Sequence, residues 1–248
     1  MSGTNRKGLG MFSEVHAGVY DTLYRARGKD RSDESKLVTE WIRKIKPDTR
    51  SVLDVGCGTG AHLGPLNETF EHVEGLDLAE PMLAIARKQL DPTIQLHHGD
   101  MCDFTLQRSF DALICMFCSI AYAGDLARIR TAIANMAEHL NPGGVLIVEP
   151  WWFTDKFLDG YVNGDTWRDD DGRVISRTSH SVREGDHTKM TVLFVIADAD
   201  GIRHYWEPEQ LTLCTREDYL AAFVDAGLDV EYHEGAPGGR GLFVAVKK

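Results

Sequence analysis

Apolar positions along the chain switch repeatedly between helical spacing and strand-like runs, and the switches outline an α/β domain. Between residues 33 and 45, Leu37, Val38, Trp41, Ile42 and Ile45 fall on one helical face, and Pro47 ends the pattern. SVLDVG (51–56) is a short apolar run closing on glycine, which predicts a strand. AHLGPLNETF (61–70) then predicts a helix with Pro65 near its first turns. HVEGLDL predicts a second strand, and EPMLAIARKQL a helix with Pro81 near its start. The alternation continues through the strands IQLHHGD and FDALICMF, the helix DLARIRTAIANMAEHL and, after the turn NPGG, the strand VLIVEP. Strands alternating with helices at this spacing predict a mostly parallel sheet with right-handed crossovers.

Beyond Pro150 the rhythm changes. From about Thr166 to Thr215, the β-rich segments RVISRTSHSV, KMTVLFVIAD and RHYWEPEQLTLCT are set off by the turn signals DDDG, REGD and DADG, the pattern of an antiparallel meander. It reads as an insertion over the sheet's carboxyl edge. REDYLAAFVDAG is then a helix closed by Gly227, and LDVEYHEG and GLFVAVKK are strands flanking a glycine-rich segment. Four parts follow: an N-terminal helical segment or lid (1–48), a Rossmann-like core (49–150), the antiparallel β insertion on the substrate side (151–215), and a C-terminal helix and strands completing the sheet (216–248).

Composition narrows the partners. At 43% hydrophobic and 26% charged residues, the 248-residue chain is ordinary globular material. The net charge of −11, with no basic stripe, disfavours nucleic acid as a partner. No apolar run approaches the roughly 18 residues that span a bilayer, and the polar opening MSGTNRKGLG is no signal peptide. A cytoplasmic protein without membrane contact is the expectation. The five cysteines are an odd number; Cys115 and Cys118 have the spacing of a metal pair, but no second pair or nearby histidine cluster accompanies them. Free thiols and no metal are expected.

The chemistry concentrates in LDVGCGTG (53–60), at the end of the first strand. Glycines here let the backbone turn tightly and approach a ligand, so Asp54, Gly56, Cys57, Gly58 and Gly60 are candidate cofactor contacts. Asp77 follows at the tip of the second strand, beside Leu78 and Met82, where an acid can accept two ribose hydroxyls; it also reads as a cap for the helix beginning at Glu80. A dinucleotide site wants G-x-G-x-x-G so that a pyrophosphate meets the helix N-terminus. This chain has G-x-G-x-G with Asp54 close before it. An acid there repels a pyrophosphate and suits a ligand carrying an ammonium and a sulfonium, which favours S-adenosylmethionine (SAM). Asp100 and Met101 follow the third strand, placed for an adenine ring, and Met116 ends the fourth strand, under the methionyl part. In this order the motifs resemble class I SAM-dependent methyltransferases over about residues 50–150, implying an α/β, Rossmann-like, mostly parallel sheet.

A more specific resemblance is carried by EPWWF (149–153), SHSVREG (179–185) and GGRGLF (238–243), with VYD (19–21) and GKD (28–30). These are similar to the N,N-dimethyltransferases that act on dTDP-linked amino sugars in macrolide biosynthesis, from about Val15 to the C-terminus. The resemblance implies that Tyr20 and Arg27 lid the cofactor carboxylate, and that Tyr24 and Lys29 lie toward the substrate; Tyr24 equally reads as packing inward. A nucleotide sugar offers a pyrophosphate, a base and a partly apolar hexose. The planar fork of Arg240 suits phosphate oxygens, although it also reads as a solvated loop charge. Arg177, Ser179 and His180 supply further donors, and Trp152 an apolar wall, with Trp151 in the core.

Methyl transfer from a sulfonium is a direct displacement, so positioning is the main task and no covalent intermediate is expected. An ammonium must first lose a proton, to water or to a side chain; Tyr122, Glu149 and His180 are the candidates. Other readings remain: a methyltransferase for a different amine or a hydroxyl, or a SAM-binding regulator without turnover. The paired tryptophans after Glu149 also make a homodimer one expectation.

Overall fold

The computed structural model describes residues 31–169, 172–235 and 238–248, and these form two sheets. Tyr20, Tyr24, Arg27 and Lys29 lie outside the described residues. The chain enters with α1 (Arg31–Ile45), then β1 (Ser51–Val55), α2 (Leu63–Asn67), β2 (His72–Asp77), α3 (Glu80–Gln89), β3 (Gln95–His98) and β4 (Phe110–Cys115). A 3₁₀ turn (Ser119–Ala123) leads to α4 (Leu126–Glu138) and β5 (Leu140–Val148). Strands β1 to β5 are parallel, in the spatial order β3-β2-β1-β4-β5. Burial on both faces explains the apolar runs of the inner strands: every residue of β1 is buried.

Two of these elements differ from the sequence expectation. The predicted helix at 61–70 shrinks to five residues, with Pro65 in its first turn, where the missing N–H has no intrahelical acceptor to lose. The Asn141-Pro142-Gly143-Gly144 segment is not a break before β5 but lies inside it, absorbed by a register shift against Phe110 and Ala112 of β4.

The second sheet holds β6 (Tyr161–Arg168), β7 (Val174–Glu184), β8 (His187–Asp198) and β9 (Gly201–Thr212), each antiparallel to the next. The predicted meander is therefore four-stranded and begins earlier than Thr166. YVNGDTWR was hidden because it is an edge strand whose side chains are mostly exposed, so no apolar alternation marks it. Its neighbours bury Ile175, Val192, Phe194, Ile196 and Leu211 in a cluster that includes Ala121 of the 3₁₀ turn, which seats this sheet over the carboxyl ends of β1 and β4.

The chain then returns to the first sheet. α5 (Arg216–Asp225) starts in a capping box made by Thr215 and Asp218, and β10 (Leu228–His233) and β11 (Leu242–Lys247) follow. β11 joins β5 antiparallel, and β10 closes the edge, giving seven strands. Phe243 packs at the centre of an aromatic cluster with Tyr219, Phe223 and Tyr232. Among the described residues no helix is long and apolar enough to cross a membrane.

Candidate active site

The strand order reverses between β1 and β4, and the crevice at their carboxyl ends is where α/β sheets bind ligands. Here it opens into a cavity of about 650 Å³. The loop after β1 turns on Gly56 (φ +76°) and Gly58 (φ +56°), and the Gly56 N–H donates to Leu76 O at 2.7 Å. A side chain on Gly56 would stand 2.6 Å from the Ser119 Cβ, so the glycine is required by close approach as well as by φ. Asp77 fixes the loop: its Oδ2 accepts the Gly58 N–H and its Oδ1 the Ala79 N–H, both at 2.7 Å. Burial pushes the Asp77 carboxyl up, against the pull of those two N–H groups.

Gly56, Gly58, Asp77, Leu78, Met82, Asp100 and Met101, the sequence's cofactor candidates, all line this side of the cavity. Asp100 accepts the Cys102 N–H at 2.9 Å and the Arg128 guanidinium at 2.6 Å; these hold its carboxyl low although burial raises it. The apolar walls, the acid at the strand tip and the glycine turn fit an adenosyl group with a cationic sulfur.

The facing wall comes from the second sheet and the loops around it. Tyr122, Trp152, Arg177, Ser179 and Arg240 line it. Arg177 is buried and donates to Ser179 Oγ at 3.0 Å, and no carboxylate pairs with it among the described residues. Arg240 Nη2 reaches Glu149 Oε1 at 2.5 Å, while its buried Nε meets no acceptor among the described residues. Its guanidinium carbon lies 5.9 Å from the Trp151 ring centre and 6.0 Å from that of Trp152. The tryptophans thus serve the cavity: Trp151 donates to Thr188 Oγ1 at 2.9 Å, and Trp152 lines the wall.

The structure corrects several sequence expectations. His180 is exposed on the outer face of β7, because the neighbouring Arg177, Ser179 and Ser181 face inward and a strand alternates sides. It is no proton acceptor for this cavity. Glu149 is only 1% exposed, and its two oxygens are engaged, one by Arg240 and one by the Phe117 N–H at 2.7 Å. Its burial pushes the carboxyl up, against the pull of Arg240 and that N–H. Glu149 is therefore a structural anchor rather than a base. It holds the turn in which Phe117 (φ 56°) and Cys118 (φ 62°) both occupy the left-handed region, a strained conformation for two residues with side chains. Met116 and Cys57 point into the core between sheet and helices, not into the cavity. Gly60 packs against Leu90, and Asp54 is buried with its carboxylate 3.8 Å from His62 Nδ1.

Sequence reasoning missed other lining residues. Asn163, Ser181, Met190 and Glu209 come from four strands of one sheet face, and Lys156 from the loop before β6. Only the register could reveal them: Ser181 pairs with Met190, and Met190 with Glu209. Among the described residues no group of three or more His, Cys, Asp or Glu is arranged to hold a metal, and the five cysteines are buried with none in a disulfide.

Fold and donor wall together define a class I SAM-dependent methyltransferase. The family model for a methyltransferase domain matches residues 52–144. The chain is 48% identical over 237 residues to a dTDP-3-amino-3,4,6-trideoxy-α-D-glucopyranose N,N-dimethyltransferase of Streptomyces venezuelae, covering 95% of this chain and 99% of the relative. It is 44% identical to a dTDP-4-amino-2,3,4,6-tetradeoxy-D-glucose N,N-dimethyltransferase of Saccharopolyspora spinosa, covering 96% and 94%. Among solved structures, the SAM-bound amino pentose methyltransferase CalS10 of Micromonospora echinaspora, involved in calicheamicin biosynthesis, superposes with a TM-score of 0.87 at 49% identity, covering 93% and 97%. The chain belongs to the family of the dTDP-amino-sugar N,N-dimethyltransferases.

Proposed function

We propose that this protein transfers methyl groups from SAM to the amino group of a dTDP-linked deoxyamino sugar. One observation carries the reading: a single cavity joins the glycine-loop wall to a wall bearing Arg177, Ser179, Lys156 and Arg240. Those cations and hydroxyl suit a diphosphate, while the negative net charge elsewhere offers phosphates little. The same proximity counts against an unrelated amine or hydroxyl acceptor, which would have no use for two buried guanidiniums beside the donor.

SAM, when bound, supplies an electrophilic methyl group on its sulfonium sulfur. The protein's contribution is geometric. Asp77 and the glycine turn seat the adenosyl end, and Arg177 with Arg240 fixes the acceptor's phosphates. Trp152 and the apolar wall exclude water from the reacting nitrogen, which must be unprotonated and in line when it attacks. Holding two reactants in this way supplies up to about 7–11 kcal/mol in well-oriented models, so no nucleophilic side chain is needed. A second round requires room for a nitrogen already bearing one methyl.

The test is mass spectrometry of the protein with SAM and dTDP-3-amino-3,6-dideoxyglucose. Sequential gain of one and two methyl masses supports the reading. If SAM binds and neither this sugar nor its 4-amino isomer is methylated, the acceptor assignment fails.

A further inference from the structure

The cations of the acceptor wall have a counterpart of opposite sign on the same sheet. Glu209 of β9 is half-buried and lines the cavity, and its Oε2 accepts the Tyr122 hydroxyl at 2.7 Å. No lysine, arginine or histidine pairs with it among the described residues. Two strands away in the same sheet, Arg177 of β7 likewise has no ion-pair partner among the described residues. The register separates them. Glu209 stands opposite Met190, Met190 opposite Ser181, and Arg177 is two inward positions further along β7. With about 4.8 Å between strands and about 3.3 Å per residue, the two Cα atoms are roughly 16 Å apart, although the Arg177 side chain leans back toward Met190, its Nη2 3.7 Å from the Met190 Sδ. No ion pair joins Arg177 to Glu209 among the described residues, so each is available to a ligand.

A cavity lined by guanidiniums and by a carboxylate that pairs with none of them among the described residues complements a molecule that carries both anionic and cationic groups. On the reading proposed above, which this inference rests on, the acceptor is such a molecule: a diphosphate joined to a sugar ammonium. The carboxylate also sits on the donor side, since Tyr122 belongs to the 3₁₀ turn whose Ser119 hydroxyl donates to Gly56 O at 3.2 Å. We infer that Glu209, oriented by Tyr122, receives the acceptor's ammonium and takes its proton before methylation.

The step balances simply. One N–H bond of the ammonium breaks, its proton goes to the Glu209 carboxylate, and the electron pair stays on nitrogen. Nitrogen then forms its bond to the methyl carbon as the carbon–sulfur bond breaks, its electrons remaining with sulfur. The product leaves as a methylammonium, and Glu209 returns its proton to water at the cavity mouth. Tyr122 keeps its own proton throughout, because its hydroxyl is the donor to the carboxylate. The monomethylated acceptor enters the second round on the same carboxylate.

The experiment is calorimetric titration of two probes in the presence of S-adenosylhomocysteine, so that no turnover occurs. The probes are dTDP-3-amino-3,6-dideoxyglucose and dTDP-6-deoxyglucose, in which a hydroxyl replaces the amine. Wild-type protein is expected to prefer the amino sugar by about tenfold or more at neutral pH, the effect of a charge-assisted contact. Glu209→Gln abolishes that preference, while its affinity for the hydroxyl probe stays within about twofold because Glu209 pairs with neither guanidinium of the phosphate site among the described residues. Tyr122→Phe lowers the preference by a smaller factor. An amino-sugar preference that survives in Glu209→Gln overturns the inference, and so does a parallel loss of both probes, which would mark Glu209 as structural. If the wild-type protein binds neither nucleotide sugar, the proposed function itself has failed, and this inference falls with it.

Discussion

The two walls of the cavity are built from different material. The donor wall is mostly backbone: glycines at positive φ, N–H groups aimed at Asp77, and a loop pinned to Leu76 O. The acceptor wall is almost entirely side chains, set on alternate positions of β7, β8 and β9. Backbone devices demand particular residues at fixed spacing and tolerate few replacements. Side chains projecting from a sheet can be exchanged while the sheet stays intact. The donor end is thus the conservative half of the machine, and the acceptor end is where a related enzyme can acquire a different sugar.

Several substitutions sharpen this contrast, the most damaging first. Arg240→Ala removes the partner of the buried Glu149 and acts on both walls at once; a loss of about 3–5 kcal/mol in denaturant unfolding is expected. Little change in the unfolding midpoint would show that the pair is dispensable. Asp77→Ala should act on the donor wall alone, weakening SAM binding by about a hundredfold through the lost carboxylate, with affinity for dTDP preserved in titration. If both affinities fell together, the walls would not be independent. Arg177→Gln is the mirror case: KM for the nucleotide sugar rises about tenfold and SAM affinity holds, since no carboxylate is left orphaned. His180→Ala, on the outer face, should stay within about 0.5 kcal/mol in stability and leave turnover unchanged. Any large kinetic effect there would reopen its part in the chemistry.

The same contrast explains what could be read from the amino-acid order. Gly56, Gly58 and Asp77 are found by spacing because the backbone conformation they serve is local. Arg177 and Ser179 emerged through family resemblance, and their inward direction is a matter of strand parity that the sequence does carry. The same parity turns His180 outward, between the inward-facing Ser179 and Ser181. Glu209 was invisible for a deeper reason: its place in the cavity depends on pairing with Met190 across a hairpin and on contact with Tyr122, 87 positions away. Glu149 carried a correct signal of importance with the wrong chemistry attached. A carboxylate at a strand's carboxyl end looks catalytic until its two partners, contributed by β4's end and the glycine-rich loop before β11, are seen.

The Glu149–Arg240 pair also bears on how such a sequence can diverge. Glu149 without Arg240 is an uncompensated buried charge, and Arg240 without Glu149 loses its ion-pair partner, so a lineage that replaces one must pass through a crippled intermediate. The two positions, 91 apart in the chain, should therefore be inherited as a unit and change in concert. A library randomised at Arg240 alone would return mostly arginine, while one randomised at both positions should recover neutral pairs that keep the turn at Phe117 and free the acceptor side to accept a different ligand.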